Sequence, residues 1–170
     1  MIAEIGGEAG RKIREINEKY DPRLARYKAP HLTLAGSSGV GPIPGSVPVD
    51  ELREKLSAVA SATAPLSLQF GAPIRFMQTE IVVLPLDPHG PLRELHDRIA
   101  TCGLPFQQAR FTFSPHCTLS LYPTLTRDTA RELLAMRIAD PAVIDRVTVY
   151  QTLDPQPSRK LLEPRLTGTG

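Results

Sequence analysis

The chain has little cysteine, little net charge and no long apolar run. Two cysteines in 170 residues are too few for a disulfide framework, so the cytoplasm is the expected compartment. The most apolar stretch, Ile81-Val82-Val83-Leu84-Pro85-Leu86, falls far short of the roughly 20 residues a membrane span needs. The opening Met1-Ile-Ala-Glu-Ile-Gly has neither the basic start nor the apolar region of a secretion signal, and no membrane partner is expected. A formal net charge of +2 excludes coating nucleic acid by charge alone, which takes many phosphate contacts. Of the 20 basic residues 15 are arginine, and the abundance of Ala, Pro and Leu beside them points to compositional bias. With 41% hydrophobic and 22% charged residues, the chain reads as one soluble, well-cored domain over residues 1–170, acting as a monomer.

Histidine is scarce too, with four in the chain, yet two of them sit in the same device 85 positions apart. Pro30-His31-Leu32-Thr33-Leu34-Ala35 matches Pro115-His116-Cys117-Thr118-Leu119-Ser120. In an extended strand, side chains alternate faces and residues i and i+2 stand about 7 Å apart on one face. His and Thr then project together, and Leu32, Leu34, Cys117 and Leu119 project to a core. Two such strands side by side would bring two imidazoles and two hydroxyls to one phosphate-sized pocket.

The rest of the chain mixes helix and strand without the steady alternation of a doubly wound sheet. Met1 to Gly6 reads as a strand. Arg11 to Tyr20 reads as a helix on the stripe Ile13, Ile16, Tyr20, ended by Asp21-Pro22. After the first motif strand, GSSGVGPIPGSVP over residues 36–48 holds ten Gly, Ser or Pro in thirteen positions and predicts irregular chain. Such a loop serves either as a mobile flap over the pocket or as a passive linker. Asp50 is expected to cap a helix carrying Leu52, Leu56 and Val59. Strands are expected over Leu66–Phe70, Ile74–Met77 and Glu80–Leu86, and Pro91 opens a helix with Leu92, Leu95 and Ile99. Phe111 to Phe113 leads into the second motif strand, His116 to Leu121. Thr126 caps a helix to Arg137, and strands Ile144–Leu153 and Lys160–Leu166 close the chain around the turn Asp154 to Ser158.

A base to activate water, an acid for the departing oxygen and donors for the phosphate suffice to hydrolyse a phosphodiester. Imidazole, with an ordinary pKa near 6.5, fills either proton-transfer role near neutrality, and the Thr33 and Thr118 hydroxyls can hold phosphate oxygens. Tyr122 shares the parity of His116 and Thr118. With Phe76 it is a candidate for the edge of the pocket, where a base could stack. Cys117, on the inward side, reads as a core thiol, His96 as a half-buried helix residue and His89 as a turn residue. Lys28 and Arg110, just before the motifs, read as solvated charge. A zinc site built from His31 and His116 with His89 or His96 lacks ligand spacing and an acidic or Cys partner, so no metal and no cofactor is expected.

The paired, proline-flanked His-x-Thr-x tetrapeptides resemble those of the 2H phosphoesterases, and within them the 2′-5′ RNA ligase-like or RNA 2′,3′-cyclic phosphodiesterase group. The resemblance implies an α+β, bilobal fold with two antiparallel sheets related by a pseudo-twofold axis and helices outside. It implies metal-independent chemistry on 2′,3′-cyclic or 2′-5′ phosphodiesters, with RNA ends or small cyclic or 2′-5′-linked nucleotides as partners, possible in reverse as ligation. His31 would then be the proton donor and His116 the proton acceptor. Two positions depart from the pattern: Leu121 stands where many tRNA-processing members carry an Arg, and the chain after the first motif is Gly-Ser rich rather than bulky and apolar. The alternative is a catalytically idle nucleotide- or RNA-end-binding module of the same fold.

Overall fold

The computed structural model describes residues 1–76, 78–152 and 158–169. Strand β1 (Ile2–Glu4) leads into α1 (Gly7–Tyr20), α2 (Pro22–Tyr27) and β2 (His31–Thr33). Then follow α3 (Val49–Ser61), β3 (Leu66–Leu68), β4 (Ile74–Arg75), β5 (Val82–Pro85), α4 (Gly90–Ala100) and β6 (His116–Ser120). Helix α5 (Arg127–Ala135), β7 (Ala142–Ile144), β8 (Val149–Gln151) and β9 (Arg159–Leu162) complete the chain. Met77, Leu153 and most of the expected 154–158 turn lie outside the described residues.

The class is α+β with antiparallel pairing throughout the named strands. Regular ladders form in four short pieces, β1–β2, β3–β7, β4–β5–β6 and β8–β9. Single bridges extend them. Ile2 and Thr148 exchange backbone hydrogen bonds of 2.9 and 2.8 Å, which joins β2–β1 to the β8–β9 hairpin. A bridge between Phe70 and Leu86 joins the β3 side to β4–β5–β6. Two sheet assemblies result, tied to each other by the Gly6 amide on the Val143 carbonyl at 3.0 Å, and each contributes one motif strand. Those strands, β2 and β6, lie against each other where the assemblies meet.

The main core lies between the two assemblies and the helices, and a smaller cluster gathers Leu52 and Leu56 of α3 with Leu104 and Val149. Leu32 and Leu34 from the first motif and Cys117 and Leu119 from the second are buried in the main core beside Ile13 of α1, Leu92, Leu95 and Ile99 of α4 and Leu133 of α5. The helical stripes read from the sequence are therefore the buried faces, as amphipathic periodicity requires.

Several boundaries differ from the sequence reading, each for a local reason. Helix α1 starts at Gly7, four residues early, because Gly10 crosses the end of β1. A Cβ on Gly10 would stand 2.1 Å from the Ile5 carbonyl oxygen, so glycine there serves close approach rather than a break. Asp21-Pro22 does end α1, but it also starts α2. Asp21 is the N-cap, its side chain accepts from the Leu24 amide at 3.0 Å, and proline suits the first helical turn. Asp50 is not the cap of α3. Pro48 holds that position, and Asp50 and Glu51 sit in the first turn, where negative charge favours the helix. Thr126 caps α5 as expected, in a capping box with Thr129, although the helix stops at Ala135. The expected strand Ile144–Leu153 is broken at 145–148, because β7 pairs with β3 while β8 pairs with β9. The chain changes assemblies there.

The Gly-Ser-Pro loop is fastened rather than free. Phe111 donates to the Ser37 carbonyl at 3.0 Å and Gln107 to the Pro42 carbonyl at 2.8 Å, so the exit from the first motif is laced to the lead-in of the second. Gly41 carries the tightest stitch, with φ +112° and a hypothetical Cβ 1.9 Å from the Gln107 carbonyl oxygen. Gly41→Ala is expected to destabilise the fold by on the order of 1–3 kcal/mol, read from urea denaturation. A change within a few tenths of a kcal/mol would show that this stitch does not form.

Candidate active site

Both motif strands show the alternation their sequence predicts: His31 and Thr33 are half-buried around a fully buried Leu32, and His116 and Thr118 around a buried Cys117. The two histidines are held in the same way. The His31 Nδ1–H donates to the Ala29 carbonyl at 2.8 Å, and the His116 Nδ1–H to the Ser114 carbonyl at 2.6 Å. A carbonyl can only accept, so each Nδ1 carries the proton and each Nε2 is left for chemistry. The prolines between explain the shared geometry. A residue before proline is driven to extended backbone, which turns the Ala29 and Ser114 carbonyls alongside the following His. The proline carbonyls are themselves pinned, Pro30 by the Ile5 amide and Pro115 by the Leu86 amide, both at 2.9 Å.

The two strands are close enough for their charges to interact. Burial lowers the His31 pKa below its ordinary 6.5, and the charges of Lys28 and His116 push it the same way. The Ala29 hydrogen bond and the Glu4 charge oppose that shift. In NMR titration His31 should ionise below 6.5, and Lys28→Gln should move it upward; a value at or above 6.5 in the wild type would contradict its burial. Because the folded state then binds fewer protons than the unfolded one, His31 makes stability fall as pH drops from 6.5 through the folded pKa. Cys117 is buried on the inward side of β6. Burial pushes its thiol up to about 12, which makes it packing and not a nucleophile.

Phe76 stands at the site, its ring edge-on to His116 with centroids 5.0 Å apart. Tyr122 packs elsewhere. Its ring lies 6.4 Å from that of Tyr27, under the Arg23 guanidinium at 4.0 Å, at the far end of β6. His96 is buried and stacked 4.1 Å from Phe113, its Nδ1–H on Asp97, and exposed His89 holds the position before α4 without a side-chain capping bond. Neither joins the motif histidines. Among the described residues no group of three or more His, Cys, Asp or Glu side chains is placed to hold a metal ion. Lys28 is half-buried rather than solvated, with its ammonium 5.0 Å over the Tyr150 ring. Arg110 is exposed.

Sequence reasoning missed the residues that set β6 in place. Between Val82 and Val83 the β5–β6 register shifts, so β6 carries one unpaired residue, Leu119, directly after Thr118. A bulge frees backbone groups from the ladder. The Asn17 side-chain amide, buried in α1, donates to the carbonyls of both Thr118 and Leu119, at 3.2 and 2.8 Å. One turn on, Asp21 Oδ2 accepts from the Leu121 and Tyr122 amides at 2.7 and 2.9 Å. A polar residue at the helical spacing from Ile13, in the middle of an apolar stripe, was the available signal. Asn17→Ala strands two buried carbonyls, each costing about 1–3 kcal/mol. It should destabilise the fold by at least that single cost in urea denaturation, whereas the exposed neighbour Glu18→Ala should stay within about 0.5 kcal/mol. Equal effects at the two positions would remove Asn17 from the design.

A family model of the 2′-5′ RNA ligase superfamily matches residues 6–156, a span that contains both motifs. The chain belongs to the 2′-5′ RNA ligase superfamily. That membership makes it a protein of 2H phosphoesterase type, an enzyme class of phosphoester chemistry. Similar solved structures include E. coli LigT complexed with ATP, at 22% identity over 98% of this chain and 96% of that one, with a TM-score of 0.49. E. coli LigT complexed with phosphate is 21% identical over 98% of this chain and 95% of the other, again with a TM-score of 0.49. No curated protein sequence matches. Among the described residues no helix is long and apolar enough to cross a membrane.

Proposed function

We propose that the protein is a metal-independent phosphodiesterase that opens 2′,3′-cyclic phosphates or cleaves 2′-5′ phosphodiesters at the ends of RNA or in small nucleotides. The observation that carries this reading is the matched pair of imidazoles, each tied through Nδ1 to the carbonyl two residues before it. One such ring is an ordinary strand histidine. Two, on adjacent strands with a threonine two residues after each, supply an acid, a base and phosphate donors together.

In hydrolysis of a cyclic phosphate, His116 Nε2 takes a proton from water as the water oxygen attacks phosphorus. His31 Nε2–H gives its proton to the ribose oxygen as the bond from that oxygen to phosphorus breaks. The Ser114 and Ala29 carbonyls steady the rings as they charge and discharge. Thr33 and Thr118 donate to the non-bridging oxygens, and Phe76 offers its face beside His116. In the ligating direction the two histidines exchange roles. Burial favours the neutral form of His31 in the free protein, and an anionic phosphate between the rings favours its protonated form, so substrate binding itself charges the donor.

EDTA-treated protein should open 2′,3′-cyclic nucleotides without added metal. Activity that vanishes with chelator and returns with zinc or manganese would overturn the reading, as would nucleotide binding without turnover of any 2′,3′-cyclic or 2′-5′ substrate.

Removing either ring should lower kcat/KM by ~10²–10⁴-fold, while His89→Ala and His96→Ala stay near wild type and Thr33→Val and Thr118→Val lose on the order of 10–10³-fold. The double variant His31→Ala/His116→Ala should be little worse than either single one, because the pair acts as a unit. A p-nitrophenyl ester of a nucleoside 2′-phosphate separates the roles, since its leaving group needs no acid. On it His31→Ala should recover most of its lost rate and His116→Ala should not; the opposite pattern would exchange the two assignments.

A further inference from the structure

A cavity of about 610 Å³ opens beside the His31 half of the site. His31 and Thr33 form part of its wall, and the 36–47 loop, the start of α3 and the β8–β9 hairpin form the rest; neither His116 nor Thr118 lines it. The volume is that of a small-molecule site and exceeds what a single phosphate fills. Its basic side chains are Lys28, His31 and Arg159, and no Asp or Glu among the described residues lines it.

Among the described residues lining the cavity, the two cations beyond His31 have only neutral neighbours. The half-buried Lys28 ammonium lies over the Tyr150 ring, and burial lowers its pKa. The Tyr150 hydroxyl itself donates to Glu4 Oε1 at 2.9 Å. The Arg159 guanidinium donates to Gln151 Oε1 at 3.1 Å. Lys28 is a cation drawn partly from water, which is costly; Arg159, exposed on β9, adds a second cation to the same wall, and a phosphate held against the two would make charge-assisted hydrogen bonds. Ile43, Val47 and Leu161 give the same cavity an apolar wall for a nucleoside body.

We propose that this cavity is a second anion subsite: it holds the nucleoside attached to the reacting phosphate, with a further phosphate at the nucleoside's other end lying on Lys28 and Arg159. The placement of the reacting phosphate rests on the function proposed above. The substrate class that follows is a nucleotide with phosphate at both ends, a cyclic or diester phosphate at the 2′,3′ end and a 5′-phosphate, rather than a plain nucleoside cyclic phosphate. Lys28 and Arg159 are then specificity residues and take no part in proton transfer.

Calorimetric binding of adenosine 2′-phosphate and adenosine 2′,5′-bisphosphate, at one fixed ionic strength, tests the subsite without requiring turnover. The full-length wild type should bind the bisphosphate at least tenfold more tightly. That ratio should fall several-fold in Lys28→Gln and in Arg159→Gln and approach one in the double variant, while the distant, exposed Arg137→Gln keeps it. Arg159 is exposed, so its variant keeps the test alive if Lys28→Gln fails to fold. Equal affinities in the wild type, or a ratio that survives the double variant, would overturn the proposal. Selective binding lost in the variants, with no turnover of any cyclic substrate, would leave the subsite standing and remove the phosphodiesterase reading. Turnover without selectivity would do the reverse.

Discussion

The hydrogen bond from each motif imidazole to the carbonyl two residues upstream is the constraint on which the site depends. It makes two histidines from opposite halves of the chain equivalent, each with a committed Nδ1 and an available Nε2. The bond needs an extended Ala29 and an extended Ser114, and proline at positions 30 and 115 favours both. It also needs strands that do not rotate. The partner strands hold the proline carbonyls, and the alternating Leu32, Leu34, Cys117 and Leu119 anchor the inward faces in one core. The chemistry on one face is therefore fixed by packing on the other.

Bringing the two strands together takes further ties between the halves. Helix α1 spans the joint: Asn17 holds the carbonyls freed by the β6 bulge, and Asp21 holds the amides that follow while capping α2. The loop after the first motif is stitched to the segment before the second, and the chain crosses between assemblies at 145–148. These are polar or backbone interactions in places where an apolar contact would permit sliding. Hydrogen-bond geometry narrows the register more sharply than apolar contact does.

The four motif residues were legible because a period of two and a repeated tetrapeptide survive any uncertainty in the surrounding structure. Amphipathic helices were legible for the same reason, since Leu92, Leu95 and Ile99 mark a face whatever they pack against. What escaped the sequence was relational. Asn17 acquires its role only from the bulge that supplies its partners, and Asp21-Pro22 reads as an end when it is a junction. Tyr122 has the right strand parity, yet the chain beyond the bulge delivers it to Tyr27 and Arg23 instead of to His116. Parity arguments hold only while the ladder is regular. Phe76, the other candidate for the pocket edge, reaches His116 directly because β4 and β5 carry it there. Lys28 illustrates the same limit, since its burial depends on the distant Tyr150.

The central claim is that both rings are held as Nδ1–H tautomers with their Nε2 atoms aimed at one phosphate. Long-range ¹⁵N–¹H NMR of selectively labelled histidine reads this directly. Above the imidazole pKa values, His31 and His116 should both show a protonated Nδ1 and a bare Nε2, and adenosine 2′-phosphate should shift both Nε2 signals together. An Nε2–H tautomer at either position, or a ligand that moves one ring and leaves the other unchanged, would contradict the account.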